Sequence, residues 1–429
     1  MGHRMKLLRQ ASYAIFLMAV QTAPVVAQKS AISTAVQIDK ARIDRALQEM
    51  VASGRAVGAS ALVWKNGREV YFGTAGQADR EAKRPVRRDT LFQIYSMTKP
   101  VTGVALMQLW EQGKFGLDDP LALYLPEFAN TKVFAGTGST GSPILKTPDR
   151  PILIRDIMRH TAGFAYGAGT SYPEQEWARI DPLALDVDLA EFGRRLARIP
   201  LLFEPGARWH YSAAVDVQAL LVERLTGKKF EDYVQQHVLQ PLRMNETGWT
   251  QPEGRYGRLA GFYEKGKDGS LKKASESAAR RLNFGPKKLT MGGAGLASTA
   301  DDYMRLARML LNAGELDGVR ILRPSTVKLM ATDQLDPKVT ERSWLTSKGS
   351  GGFGLDVFVR TGRPKNAEEN RGAVGEFFWD GMASTLFWVD PANKLTAVFL
   401  VQSVPFDGSL HRDIRRAVYG DSYLGLKGD

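Results

Sequence analysis

Residues 91–110 read Leu-Phe-Gln-Ile-Tyr-Ser-Met-Thr-Lys-Pro-Val-Thr-Gly-Val-Ala-Leu-Met-Gln-Leu-Trp, and the fold turns on this stretch. Its first five residues are apolar and strand-like. From Ser96 to Trp110 the pattern is that of a mostly buried helix, stopped at Gly113. Pro100 is tolerated because the N–H groups of a first helical turn have no partner inside the helix. Ser96 and Lys99 stand three residues apart, almost one turn, so both side chains share a face. A lysine held there in a partly desolvated pocket can accept the serine proton or pass it on. At a buried helix start, the free N–H groups and the dipole favour developing negative charge.

The S-x-x-K spacing is weak by itself, since it also occurs at Ser270–Lys273 and Ser325–Lys328. The second lies in a Lys/Gly-rich loop, and the third reads as a helix N-cap after Pro324. The plain alternative for Ser96 is likewise an N-cap serine. No serine has the G-x-S-x-G surroundings of a nucleophile elbow. His160, His210, His237 and His411 leave a Ser-His-Asp triad open by count alone, without a motif to support it. The chain has no cysteine, which excludes a thiol nucleophile, Cys-ligated zinc and disulfides.

Two further segments carry candidate chemistry. Glu204-Pro205-Gly206-Ala207-Arg208-Trp209-His210-Tyr211-Ser212 is a turn, then an aromatic cluster, then a helix start. A phenol at Tyr211 with a lysine beside it would lose its proton more easily and serve as a base; the plain alternative is packing plus one hydrogen bond. Phe378-Trp379-Asp380-Gly381-Met382-Ala383 precedes an apolar strand. Glycine there would let a substrate approach the backbone, and the N–H of Met382 would join that of Ser96 as an oxyanion hole. The alternative is an ordinary bend.

The flanking sequence supplies the organisation. Arg4, Lys6 and Arg9 precede the apolar run 11–20, and Val25-Val26-Ala27 fits a small-x-small cleavage site. Residues 1–27 are therefore expected to be a signal peptide and 28–37 a linker, with the product periplasmic or secreted. No lipid-modified cysteine is available, so no stable membrane anchor is expected after cleavage. The absence of disulfides suits a bacterial envelope. Removing 1–27 takes away three basic residues and no acid, so +12 becomes +9. That charge is scattered without interleaved aromatics, which argues against nucleic acid. A helix is expected over 38–53. A hairpin follows through Asn66-Gly67, joining strands 59–64 and 69–72. Loops are expected at 130–150 and 263–280, and helices at 213–225 and 301–311. Strands are expected at 384–389 and 395–401, and a last helix at 411–418. Strands at both ends with helices between imply one mixed α/β sheet, from about 38–95 and 285–429, with a helical region over about 96–284.

These segments together resemble the serine β-lactamase-like superfamily: class C β-lactamases, DD-peptidases and, most closely, family VIII carboxylesterases. The resemblance spans roughly 38–415. It rests on Ser96-Met97-Thr98-Lys99-Pro100, Leu117-Asp118-Asp119-Pro120, Ile154-Arg155-Asp156 with His160-Thr161-Ala162-Gly163, Glu204-Pro205-Gly206 with Tyr211-Ser212, Pro241-Leu242-Arg243-Met244, Gly292-Gly293-Ala294-Gly295-Leu296, and Trp379-Asp380-Gly381. It implies an antiparallel central sheet flanked by helices, with an inserted helical region and the site in the cleft between. It further implies Ser96 as nucleophile, Lys99 as its activator and Tyr211 as the base that later protonates the leaving group. No cofactor or metal is implied, and the partner is a small ester or amide. The chain departs from the β-lactamase pattern at Ala213, where asparagine is usual, and at Trp379-Asp380-Gly381, where Lys-Thr-Gly is usual. The esterase branch also places tryptophan at that point, followed by two glycines, so Asp380 departs even there. Ester hydrolysis is therefore the first expectation, and β-lactamase or D-alanyl-D-alanine carboxypeptidase activity the second. A silent penicillin-recognising module is the third. Trp379, Asp380 and Gly381 are expected to contact substrate. Trp379 would offer an apolar face and Asp380 would repel an anion, unless Arg371 or another cation reaches the cleft.

Overall fold

The computed structural model describes residues 36–366, 368–421 and 423. The expected signal peptide and the linker up to residue 35 lie outside the described residues; Val36 is already buried in the core.

The Asn66-Gly67 turn has both residues at positive φ (51° and 77°), the type I′ geometry that matches strand twist. It joins β1 (Gly58–Lys65) to β2 (Arg68–Asp79), longer than the alternation suggested, and β3 (Arg84–Pro85) pairs with the end of β2. The remaining strands come from the C-terminal part: β4 (Gly351–Phe353), β5 (Phe358–Arg360), β6 (Phe377–Asp380), β7 (Leu386–Asp390) and β8 (Leu395–Val401). They form one antiparallel sheet in the order β4-β5-β6-β7-β8-β1-β2-β3. The two ends of the chain meet at its centre, where Ala59 of β1 faces Val401 of β8.

Every residue of β7 and β8 is buried, so helices cover both faces. Helix α1 (Lys40–Ala52) is capped by Asp39 and buries Ile43, Leu47 and Met50 against β1 and β2. Five helices frame the sheet and site: α1, α2 (Thr98–Glu111), α3 (Ala214–Thr226), α4 (Ala300–Leu311) and α5 (Gly408–Tyr419). Helix α4 packs on β7, β8 and β1, and α5 packs beside α1. Helix α2 is apolar on nearly all sides because it is the core of the helical region, packed against α3.

Three expectations change. Residues 130–150 are not a simple loop but hold the hairpin Val133–Thr137/Pro143–Lys146, and 263–280 hold Tyr263–Lys265/Leu271–Lys273. Their polar, glycine-rich sequence hid short strands outside the main sheet. Ser325 does not cap its helix: the cap is Arg323, Pro324 opens the helix and Ser325 sits inside its first turn.

Candidate active site

The segment before Ser96 is fixed by pairing, not by a long strand. Phe92–Gln93 pair with Ala297–Ser298, and Ile94 N–H donates to Leu296 O at 3.0 Å. Tyr95 then takes φ +43°, an uncommon conformation for a bulky residue that costs on the order of 1 kcal/mol. Tyr95–Met97 form a 3-10 turn, and α2 begins at Thr98, two residues later than the sequence suggested. Ser96 therefore projects from the turn, half-buried, while Lys99 sits inside the first turn of α2 at 1% exposure. Tyr303 O–H from α4 donates to Met97 O at 2.7 Å and holds the turn.

Three side chains meet there. Tyr211 O–H donates to Ser96 Oγ at 2.7 Å, and Lys99 Nζ lies 3.3 Å from the same oxygen. Lys99 also donates to Gly293 O at 2.7 Å and stands 4.6 Å from the centre of the Tyr211 ring. Gly293 N–H donates to buried Asp216 at 3.0 Å. Burial pushes the Asp216 carboxyl up, while Lys99 and the Gly293 N–H pull the other way. A side chain at 293 would not fit: a Cβ would lie 2.8 Å from Asp216 Oδ2 and 3.2 Å from Lys99 Nζ. This explains the glycine at 293; its neighbour Gly292 is tied to α2 by Thr102 Oγ1 donating to Gly292 O at 2.7 Å.

Tyr211 is seated by a second set of bonds. His210 N–H donates to His160 O at 2.9 Å, and Ser212 N–H donates to His160 Nδ1 at 3.2 Å. Gly206 N–H donates to Thr161 O at 2.7 Å, and Leu202 N–H to Gly163 O at 2.8 Å. Residues 160–163 thus clamp the 202–212 segment. The His160 ring lies 4.8 Å from that of Tyr211, and burial with nearby Lys99 holds it neutral, well below its usual range. The expected lowering of the Tyr211 phenol is reversed: burial pushes it well up, and Asp380 and Asp216 add to the rise, so the resting group is a protonated phenol.

Ser96 opens into a cavity of about 400 Å³, lined mainly by Tyr166, Tyr211, Trp344, Trp379, Met382 and Phe406. Met382 is half-exposed on the turn after β6 and borders this cavity with Ser96. Trp379, Asp380 and Gly381 all line this cavity with Ser96, and the structure adds a constraint at each. Trp379 borders the cavity from a fully buried position, packed by Tyr211, Trp344 and Phe353; Trp344, 43% exposed, presents the free aromatic face. Gly381 is required because a Cβ would lie 2.5 Å from Ile94 O and 2.3 Å from Thr385 Oγ1. The close approach is made by the chain leading to Ser96. Asp380 is not a bare anion, since it pairs directly with Lys348 at the cavity wall. Arg371 is buried and outside the cavity lining, its carbonyl accepting from Arg415 at 3.0 Å.

Ser270 and Ser325 are exposed and far from this constellation in kind: Ser270 bonds to Asp268 in a surface turn. Lys348, Trp344, Tyr166, Phe406 and Asp216 had escaped the sequence reading. Only Asp216 left a trace, an acid in the first turn of a helix whose first two turns are otherwise largely apolar. Among the described residues no cluster of three or more His, Asp or Glu could hold a metal ion, and no helix is long and apolar enough to cross a membrane.

The beta-lactamase family model matches residues 43–420. The chain belongs to the beta-lactamase family. Within that family it is 33% identical over 408 residues to esterase EstB of Burkholderia gladioli, covering 88% of this chain and 95% of that one. It is 34% identical over 383 residues to protein Rv1367c of Mycobacterium tuberculosis, covering 88% and 93%. Among solved structures it superposes on EstCE1, a hydrolase with promiscuous acyltransferase activity, with a TM-score of 0.75 and 28% identity over 89% of this chain and 98% of that one. This beta-lactamase-family chain is a serine hydrolase, with the β-lactamase/transpeptidase-like fold.

Proposed function

We propose that the chain hydrolyses neutral carboxylic esters through an acyl-serine formed on Ser96. The observation that carries this reading is the meeting of Tyr211 O–H and Lys99 Nζ on one serine oxygen at the floor of an aromatic cavity. Ser96 Oγ attacks the ester carbonyl as its proton passes to Lys99. The oxyanion is met by the N–H groups of Ser96 and Met382. Tyr211, protonated at rest, gives its proton to the departing alkoxide. This leaves an ammonium beside a phenolate, which reset by transferring one proton. In deacylation, water attacks the acyl carbon as its proton passes to Lys99, and a proton is returned through the Lys99–Tyr211 pair to the departing Ser96 Oγ. Asp216 and Gly293 fix the Lys99 head, and His160 fixes the Tyr211 strand. The aromatic walls suit an apolar acyl or aryl group. The likeness to esterase EstB supports ester chemistry, and the likeness to EstCE1, a hydrolase with promiscuous acyltransferase activity, supports an acyl intermediate.

We further propose that residues 1–27 act as a signal peptide for export; protein isolated from the producing cell is then expected to begin at Gln28 on N-terminal sequencing. The functional test is kcat/KM for p-nitrophenyl butyrate against benzylpenicillin on one preparation. Ester turnover should exceed penicillin turnover clearly. Penicillin turnover equal to or faster than ester turnover would instead establish the β-lactamase reading.

A further inference from the structure

The cavity wall carries an ion pair that the ester chemistry does not use. Lys348 ends the 3-10 turn Ser343–Lys348, and Asp380 ends β6. Their side chains are 8% and 9% exposed and meet directly. The ammonium lies 5.1, 5.3 and 4.9 Å from the ring centres of Trp344, Trp379 and Phe406. The third titratable group is His411, whose Nδ1 is 3.8 Å from the Asp380 carboxylate. Its Nε2 donates to Ser384 O at 2.9 Å. Burial pushes its imidazole down to about 4, so it adds no charge at neutral pH. The wall therefore holds one cation and one anion, and Ser96 opens into the same cavity.

We propose that Lys348 is a latent carboxylate-binding cation, and that Asp380 masks it so that the site favours neutral esters over substrates carrying an acid. This rests on the ester-hydrolase reading. A substrate carboxylate would have to displace Asp380 from Lys348, exchanging one ion pair for another and leaving Asp380 buried without its partner. A neutral substrate leaves the pair intact. Once residue 380 loses its charge, the ammonium stands free among aromatic rings, where little water competes for it. The departure at 380 thereby acquires a role: the cation enters from residue 348, outside the Trp379-Asp380-Gly381 segment, and the residue after Trp379 decides whether it is seen.

The test has two arms. In the binding arm, phenylbutyrate and phenylbutanol are titrated against wild type and Asp380→Asn by tryptophan fluorescence quenching. The expected result is that Asp380→Asn raises the preference for phenylbutyrate over phenylbutanol by about ten- to a hundredfold. Adding Lys348→Met to that variant should return the preference to the wild-type value. Asp380→Gly, which removes the carboxylate outright, serves if the asparagine variant does not fold. A preference unmoved in the folded variant, or a rise that survives Lys348→Met, overturns the proposal. In the kinetic arm, p-nitrophenyl butyrate is compared with mono-p-nitrophenyl glutarate. Failure of the wild type to turn over either ester sinks the ester reading, while the binding arm still decides the mask.

Discussion

Gly293→Ala tests whether the position of the Lys99 head, and not its mere presence, supports turnover. The added Cβ would fall 2.8 Å from Asp216 Oδ2 and 3.2 Å from Lys99 Nζ. Neither neighbour can retreat freely. Asp216 is buried and accepts from Gly293 N–H at 3.0 Å, and Lys99 is buried and donates to Gly293 O at 2.7 Å. Overpacking of this kind costs about 1–3 kcal/mol of stability. A reacting group displaced by a good fraction of an ångström costs up to about a hundredfold in rate. The expected outcome is a fall of about ten- to a hundredfold in kcat/KM for p-nitrophenyl butyrate, mostly in kcat, with a modest drop in Tm. The matched control is Gly254→Ala, where no atom lies within 4 Å of the new Cβ, and which should behave as wild type. Gly293→Ala with wild-type kcat and Tm would refute the claim that Gly293 positions Lys99.

Other perturbations separate the roles assigned above. Ser96→Ala should abolish ester turnover and labelling by a fluorophosphonate, whereas Ser270→Ala and Ser325→Ala should leave both in place; a label on any other serine contradicts the assignment. Lys99→Ala and Tyr211→Phe should each remove most activity, and the double variant should be little worse, because both act on one proton path; losses that simply multiply would argue against a shared path. His411 has its folded pKa depressed from 6.5 to about 4, so the unfolded chain binds that proton more readily. Its contribution is complete above about pH 6.5 and is lost as pH falls through about 4, amounting to roughly 3 kcal/mol in all. His411→Gln should therefore lose less Tm than wild type between pH 7 and pH 4; an equal loss shows that acid sensitivity arises elsewhere.

Much of this site could be read from the chain because its parts are local. The Ser96–Lys99 spacing, the Asn66-Gly67 turn and helix α4 all depend on neighbours within a turn or a hairpin. The sheet's β7 and β8 were legible as continuous apolar runs. What escaped depends on distant approach. Lys348 looks like one more lysine in a polar stretch until β6 brings Asp380 beside it. Trp344 and Trp379 are indistinguishable as letters, yet one is presented and the other enclosed. The Tyr211 phenol was misjudged because its lysine neighbour was foreseeable while the extent of its enclosure was not. Gly381 was noticed for the right reason, a close backbone approach, but the partner is the chain before Ser96.

The pairing of Ala59 with Val401 has a consequence for synthesis. A ribosome delivers the β1–β2 hairpin long before its central partner β8. Until β8 arrives, β1 presents an unpaired, largely apolar edge, the kind of template that recruits other nascent strands. The Ser96 turn is equally unfinished in that interval, since it leans on Leu296 and on the Ala297–Ser298 bridge. Chains truncated before β8 should therefore be inactive and prone to aggregate, and the full chain should recover slowly from denaturant, as sheets closed by distant strands do.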